Sequence, residues 1–187
     1  MPDKKKDYFT ALFEVAKVVN ASLTPSRVLE EIVSCVAKTM RVKACSLRIL
    51  DSRGKKLRMG AQFGLSEGYI RKGPVLVKES GLDKKALKGK AMWLKNAQRD
   101  DDFQYKDKAK AEGIKSVLVV PLIVEKKAIG VIRVYTARER KFSEDEIKFM
   151  EAVANLSAIA LENAKLHQAL RKDYDLLVAH KYRLDDN

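Results

Sequence analysis

The chain has 187 residues, an apolar fraction of 46% and a formal net charge of +13. That is enough for one domain with a real core and an appended helix, and it excludes a chain that is disordered throughout. No run approaches the roughly 18 consecutive apolar residues of a membrane span, and the opening Met-Pro-Asp-Lys-Lys-Lys-Asp is no signal-peptide core, so a cytoplasmic protein without membrane association is expected.

The basic charge invites a nucleic-acid reading, because clustered lysine and arginine attract phosphates. Here the lysines are scattered through termini, turns and helix faces, at positions such as Lys4, Lys55, Lys84, Lys106 and Lys126. No aromatics interleave with them for base stacking, and no helix-turn-helix or zinc-finger spacing occurs, so a solvated basic surface is the preferred reading. Cys35 and Cys45 have no Cys-x-x-Cys partner and no neighbouring histidine, so two buried reduced thiols are expected.

A disordered basic segment is expected over residues 1–7. Over residues 8–20, Phe9, Leu12, Phe13, Ala16 and Val19 fall at helical spacing opposite Asp7, Glu14 and Lys17. A second helix opens at Thr24-Pro25, continues through Val28, Leu29, Ile32, Val33, Val36 and Ala37, and ends near Arg41. The period then changes to two. Cys45, Leu47 and Ile49 alternate with Ser46 and Arg48, and Leu57, Met59, Ala61 and Phe63 alternate with Arg58, Gly60 and Gln62. Asp51-Ser52-Arg53-Gly54 joins them as a hairpin turn. Residues 64–79 are Gly-punctuated, with a short strand at 75–77. Ser80 caps a short helix over 82–87 that stops at Gly89, and a further strand covers 91–94. Residues 95–104 form a polar, acidic loop, followed by a short helix ending at Gly113.

The most informative stretch is 113–135, two core strands joined by a charged turn. Residues 117–124 are almost wholly apolar and β-branched, and Pro121 forbids a helix interior, so this strand is expected to be covered on both faces. In the next strand Gly130 permits close approach to a covering helix, while Val131, Arg133 and Tyr135 share one face and Ile132 and Val134 the other. Ser143-Glu144-Asp145-Glu146 is a capping box opening the longest helix. Its first half carries a sheet-facing stripe of Ile147, Met150, Val153, Ala154, Ser157, Ala158 and Leu161. Beyond it, Leu156, Ala160, Asn163, His167, Leu170, Tyr174, Leu177, Lys181 and Leu184 follow the spacing of a coiled-coil seam. An extended helix over 166–187 that leaves the domain and pairs with a partner is therefore expected.

This order of elements, together with Glu112-Gly113-Ile114-Lys115-Ser116-Val117-Leu118-Val119-Val120-Pro121-Leu122, Ile129-Gly130-Val131-Ile132, Phe142-Ser143-Glu144-Asp145-Glu146 and Ala158-Ile159-Ala160-Leu161-Glu162-Asn163-Ala164, resembles the GAF domain family over residues 8–170. The resemblance implies an α+β fold occupying 8–165. A central antiparallel β-sheet would carry the N- and C-terminal helices on one face and a small-molecule pocket on the other. It also implies a regulatory, signal-transducing sensor that acts as a homodimer through those helices. With no output domain in the sequence, the signal would pass to a signalling protein in trans. A ligand-free dimerisation domain and a small enzyme are the alternatives.

If the apolar strand faces meet the helices, Arg48, Arg133 and Tyr135 face the pocket. The two arginines could receive a carboxylate or phosphate of an unidentified, anionic ligand, or could extend into solvent or pair with Asp100, Asp101 or Asp102. Trp93, Phe103 and Tyr105 flank the acidic loop and could roof a ring-shaped ligand or anchor the loop. Ser116 completes the candidate list from the Ser-Val-Leu-Val-Val-Pro motif. No catalytic or metal residue is assigned, and the cofactor is left open. The three aspartates lack a calcium-loop pattern, and His167 and His180 have no ligand constellation. Cyclic-nucleotide members resemble an Asn-Lys signature where this chain reads Tyr135-Thr136-Ala137. Free-methionine-sulfoxide reductase members need loop cysteines, and no cysteine follows Cys45. Covalent bilin attachment and haem binding lack a Cys or His in the expected region. No phosphate-cradling glycine loop, zinc-binding His-Glu-x-x-His or Ser nucleophile elbow occurs either, so a non-enzymatic module is expected.

Overall fold

The structure, a computed structural model, describes residues 7–21 and 24–185. Helices α1 (Tyr8–Ala21) and α2 (Pro25–Met40) precede a hairpin of β1 (Ala44–Leu50) and β2 (Lys56–Phe63). Then come α3 (Glu67–Ile70), β3 (Val75–Leu76), α4 (Gly81–Ala86), β4 (Met92–Leu94) and α5 (Lys106–Glu112). The chain closes with β5 (Ser116–Val124), β6 (Lys127–Thr136) and α6 (Glu144–Asp185). The six strands make one sheet in the order β3-β2-β1-β6-β5-β4, and every neighbouring pair is antiparallel. This is the expected α+β architecture. The basic residues 1–6 lie outside the described residues, and no described helix is long and apolar enough to cross a membrane.

Alternation along the strands builds two cores. Cys45, Leu47, Leu118, Val120, Ile132 and Val134 meet α1, α2 and the first half of α6. Ala44, Leu57, Val117, Val119, Val131 and Tyr135 meet the layer of short elements from α3 to α5. β5 is buried on both faces over most of its length, as its unbroken apolar run requires. Pro121 sits beyond Val119, where β4 has ended and one edge of β5 no longer needs a donor. The joining turn places Glu125 and Lys126 at φ 46° and 68°, the left-handed pair of a tight hairpin turn.

Three local expectations change. Leu57, Met59, Ala61 and Phe63 do not share a face, because the β1–β2 register shifts between Leu47 and Arg48: Leu47 pairs with Ala61 and Arg48 with Met59, leaving Gly60 as the extra residue. Leu57 and Met59 therefore join the α3–α5 side, Ala61 joins the long helices, and Phe63 is exposed. Gly130 does face a close neighbour, but that neighbour is β1: an added Cβ would lie 2.3 Å from the Arg48 carbonyl oxygen. Finally, α1 turns Ala11 and Val15 inward with Tyr8 and Leu12, and leaves Phe9 and Phe13 exposed. A small residue is needed where α1 crosses α2, and Cys35 Sγ there reaches the Ala11 carbonyl at 3.9 Å.

The capping box forms reciprocally: Glu146 N donates to Ser143 Oγ at 3.2 Å and Ser143 N donates to Glu146 Oε2 at 3.0 Å. Glu146 also receives Arg140 Nη1 at 2.8 Å, tying the loop after β6 to the helix start. Ser143→Ala is expected to lower stability by about 1 kcal/mol in urea unfolding. Glu146→Ala should cost more, since it also strips Arg140 of its carboxylate partner. Equal losses would mean that the Arg140 contact contributes nothing.

Candidate functional site

The sheet face opposite the long helices is where the strands put their polar groups. Ser46 and Arg48 of β1 and Arg133 and Tyr135 of β6 point there because they alternate with the helix-facing Cys45, Leu47, Ile132 and Val134. All four are buried, Arg48 and Arg133 to 1% exposure each. Ser46 Oγ and Tyr135 OH share a hydrogen bond of 2.9 Å, and the Tyr135 ring meets Tyr69 of α3 edge-on at 6.1 Å.

The two arginines have different fates. Arg133 is held by a fork on Asp83 of α4: Nε donates to Oδ1 at 3.0 Å and Nη2 donates to Oδ2. Ser80 Oγ donates to the same carboxylate, and the Phe103 ring lies 6.0 Å from the guanidinium. Arg48 makes only one long contact, from Nη1 to the Leu57 carbonyl at 3.4 Å. Its Nε and Nη2 are buried without a hydrogen-bond partner among the described residues. Lys72 Nζ and Tyr69 OH are in the same condition. The Lys72 ammonium lies over the Tyr69 ring at 4.6 Å and the Tyr105 ring at 4.3 Å, contacts that favour its charged form. Burial outweighs them and, reinforced by Arg48 and Arg133, pushes the amine down to about 6 despite the opposing pull of Asp83.

The candidate residues thus divide. Arg48, Arg133, Tyr135 and Phe103 gather in this layer, and Tyr105 joins them from just ahead of α5, its OH donating to the Pro74 carbonyl at 2.9 Å. Trp93 does not: adjacent strand residues alternate, so Met92 and Leu94 face this layer while Trp93 turns to the other core and meets Phe142 edge-on at 6.4 Å. Ser116 lies at the end of β5, where its Oγ donates to the Lys95 carbonyl at 2.8 Å and accepts from Arg140 N at 2.8 Å, which ties loops together. Of the acidic triplet, Asp101 meets Lys106 and Asp102 meets Lys85, so neither reaches the arginines. The partner that does, Asp83, lies in a stretch read only as a short helix. Lys72 and Tyr69 fall in the irregular segment, where no periodicity marks a direction; α3 itself announces its start only by Ser66, whose Oγ accepts from Tyr69 N at 3.2 Å.

A cavity of about 590 Å³ opens elsewhere, at the β2–β3 edge, lined by Gly54, Lys55, Lys56, Leu76, Val77, Lys78 and Lys84. Its lysines are exposed and already hydrated, whereas Arg48 is not, so the unmet bonding capacity lies in the buried layer. The thiols are remote from it: Cys45 lies in the other core and Cys35 on α2, both unbridged, and burial pushes both upward. Among the described residues no His, Cys, Asp or Glu cluster could hold a metal ion.

The sequence matches the GAF domain family over residues 22–162. The chain belongs to the GAF domain family. The formate hydrogenlyase transcriptional activator of Salmonella typhimurium (strain LT2) is 22% identical over 188 residues, an alignment spanning 98% of this chain and 27% of that protein. The chain thus spans about a quarter of the length of the curated relatives it matches. Among solved structures, the GAF domain of a phosphoenolpyruvate-protein phosphotransferase from Coxiella burnetii superposes with a TM-score of 0.79 at 19% identity, covering 89% of this chain and 99% of that one. Free methionine-R-sulfoxide reductase from Neisseria meningitidis superposes at 0.74 with 16% identity, covering 89% and 95%. At these identities the likeness is one of fold. The GAF sheet, its helical layer and its opposite layer of short elements stand where the family resemblance leads one to expect them.

Proposed function

We propose that this chain is a sensory or regulatory domain that binds a small molecule in the layer between the sheet and α3–α5 and passes its state to a second copy or a partner protein through α6. The observation that carries this reading is Arg48, a buried guanidinium with two donor atoms unmatched among the described residues. A fold that keeps such a group without a partner loses stability, and a bound ligand or ordered water that accepts from it supplies the compensation. Transcriptional regulation in the relatives and the missing loop cysteines favour sensing over reductase chemistry. Native mass spectrometry and thermal-shift screening test the reading; saturable stabilisation by a small molecule supports it. Failure of every ligand class would leave a pure interaction domain.

The helical layer supplies the route outward. Ile159, Leu166, Leu170, Tyr174 and Leu177 are each more than half exposed and fall on one stripe of α6. This stripe differs from the seam read in the sequence, because Leu156 and Ala160 pack on the core; the side chains of His180, Lys181 and Leu184 lie outside the described residues. On α1, Phe9 and Phe13 are likewise exposed. A second copy of this chain is the proposed occupant of the α6 stripe. Leu170→Lys combined with Leu177→Lys is expected to convert a sedimenting dimer to monomer while leaving thermal unfolding of the domain intact. A dimer unchanged by the double substitution would remove α6 from the interface.

A further inference from the structure

The layer under the sheet holds more buried donors than acceptors. Its buried carboxylates are already engaged: Arg133 with Ser80 occupies both oxygens of Asp83, and Glu112 of α5 accepts from Ser66 N and Ser66 Oγ and pairs with the Lys43 ammonium at 3.8 Å. What remains comes from different elements: Arg48 Nε and Nη2 from β1, Tyr69 OH from α3, and Lys72 Nζ from the turn that follows α3. These groups sense one another, since Arg48 and Arg133 both act on Lys72 and on Tyr69. With Asp83 matched to Arg133 and Glu112 to Lys43, the buried Arg48 guanidinium is left without a carboxylate among the described residues, and removing such a charge from water is costly unless it is matched. A neutral ligand would leave that charge uncompensated. The group that matches both the donors and the charge is an acceptor-only anion of few atoms, because Tyr69, Phe103 and Tyr135 are buried around the site and Tyr105 is half-buried.

We infer that Arg48, Lys72 and Tyr69 form the receiving site for a small oxyanion, a carboxylate or an inorganic anion, with Arg133 serving as a fixed wall locked to Asp83. The inference rests on the sensory reading and names the class of its ligand. It also makes binding proton-linked. The groups facing Lys72 are Arg48 from β1, Arg133 from β6, Asp83 from α4, Tyr69 from α3 and Tyr105 ahead of α5. Burial first, then Tyr135, pushes Tyr69 upward, so its hydroxyl keeps its proton. The Lys72 amine, lowered to about 6 in the ligand-free protein, is mostly neutral at pH 8. An anion placed beside it raises that value again, so the anion and a proton bind together. Affinity is fullest at and below pH 6 and falls as pH rises, by up to about tenfold per unit until the bound-state value is passed.

Titration calorimetry on the full chain tests this, with formate, acetate and pyruvate as carboxylates, nitrate and phosphate as inorganic anions, and acetamide and adenosine as uncharged comparators, all at constant ionic strength in chloride. The expected result is saturable binding of at least one oxyanion, weaker at pH 8 than at pH 6, with proton uptake revealed by buffers of different ionisation enthalpy. Lys72→Met should reduce affinity at pH 6 at least tenfold and abolish the uptake, and Tyr69→Phe should weaken binding while leaving the uptake in place. Circular dichroism and thermal unfolding establish that both variants are folded. Which arm binds distinguishes a carboxylate from an inorganic ligand. Oxyanion binding that is indifferent to both substitutions overturns the site, and saturable binding of an uncharged comparator alone overturns the oxyanion class while sparing the sensory reading. Binding of nothing in the series overturns the inference, and the wider ligand screen then decides the sensory reading separately.

Discussion

Asp83→Ala is expected to destabilise the domain by about 3–5 kcal/mol, because it leaves Arg133 charged, buried and without a counterion. Both partners are essentially sealed from water, at 1% exposure for Arg133 and 0% for Asp83. The carboxylate also accepts from Ser80 Oγ, so α4 loses its anchorage to the sheet in the same step. Asp83→Asn keeps the shape and some of the hydrogen bonding, and should fall between the wild type and Asp83→Ala. Replacing both partners by apolar residues, Asp83→Leu with Arg133→Met, should recover much of the loss, since the desolvation cost of the pair disappears along with its attraction. Urea unfolding of the set measures this. A double variant no more stable than Asp83→Ala would mean that the ion pair itself, and not the stranded guanidinium, accounts for the loss.

Phe149→Ala should have an effect of similar size, about 3–5 kcal/mol, from the opposite core. Phe149 is 3% exposed on the first turns of α6 and stacks on Tyr8 at 4.6 Å between ring centroids and 23° between planes. It therefore joins the start of α1 to the start of α6, and its removal opens a void in the core on the helix side of the sheet. Tyr8→Ala should cost less, since that ring is only partly covered. Hydrogen exchange adds a local readout: α1 amides should lose protection in Phe149→Ala before those of α2 and the sheet. Uniform loss across the helical layer would show instead that α1 does not open independently.

The fold was legible because its signals are periodic. Two-residue alternation in β1 and β6 placed Arg48, Arg133 and Tyr135 on the face away from the long helices, and Ser143 with Glu146 marked the start of α6. The site was legible only where strands supply it. Asp83, Lys72 and Tyr69 reach the cluster from short turns and helices, where one residue's direction says little about the next. Trp93 shows the same limit from the other side: its chemistry suits a ligand roof, but in a strand of three residues the face depends on register, which only the pairing of Trp93 with Leu118 reveals. Gly60 likewise reads as an ordinary polar-face position until the shifted register makes it a bulge. For α1, both faces carry apolar residues, so composition could not decide between Phe9 and Ala11 as the buried one.

The continuity of α6 has a mechanical consequence. Forty-two residues in one helix span about 63 Å at 1.5 Å per residue, and the described part beyond Leu161 accounts for about 36 Å of it. The near end is clamped by its capping box and by Phe149, Met150 and Val153 in the helix-side core, while the side chains over 165–177 are exposed. Such an arm converts angle into distance: a tilt of about 5° at the clamp moves its tip by on the order of 3 Å, more than half of a helical turn. A rearrangement of β5 too slight to alter the core's packing would be large at the end of the arm.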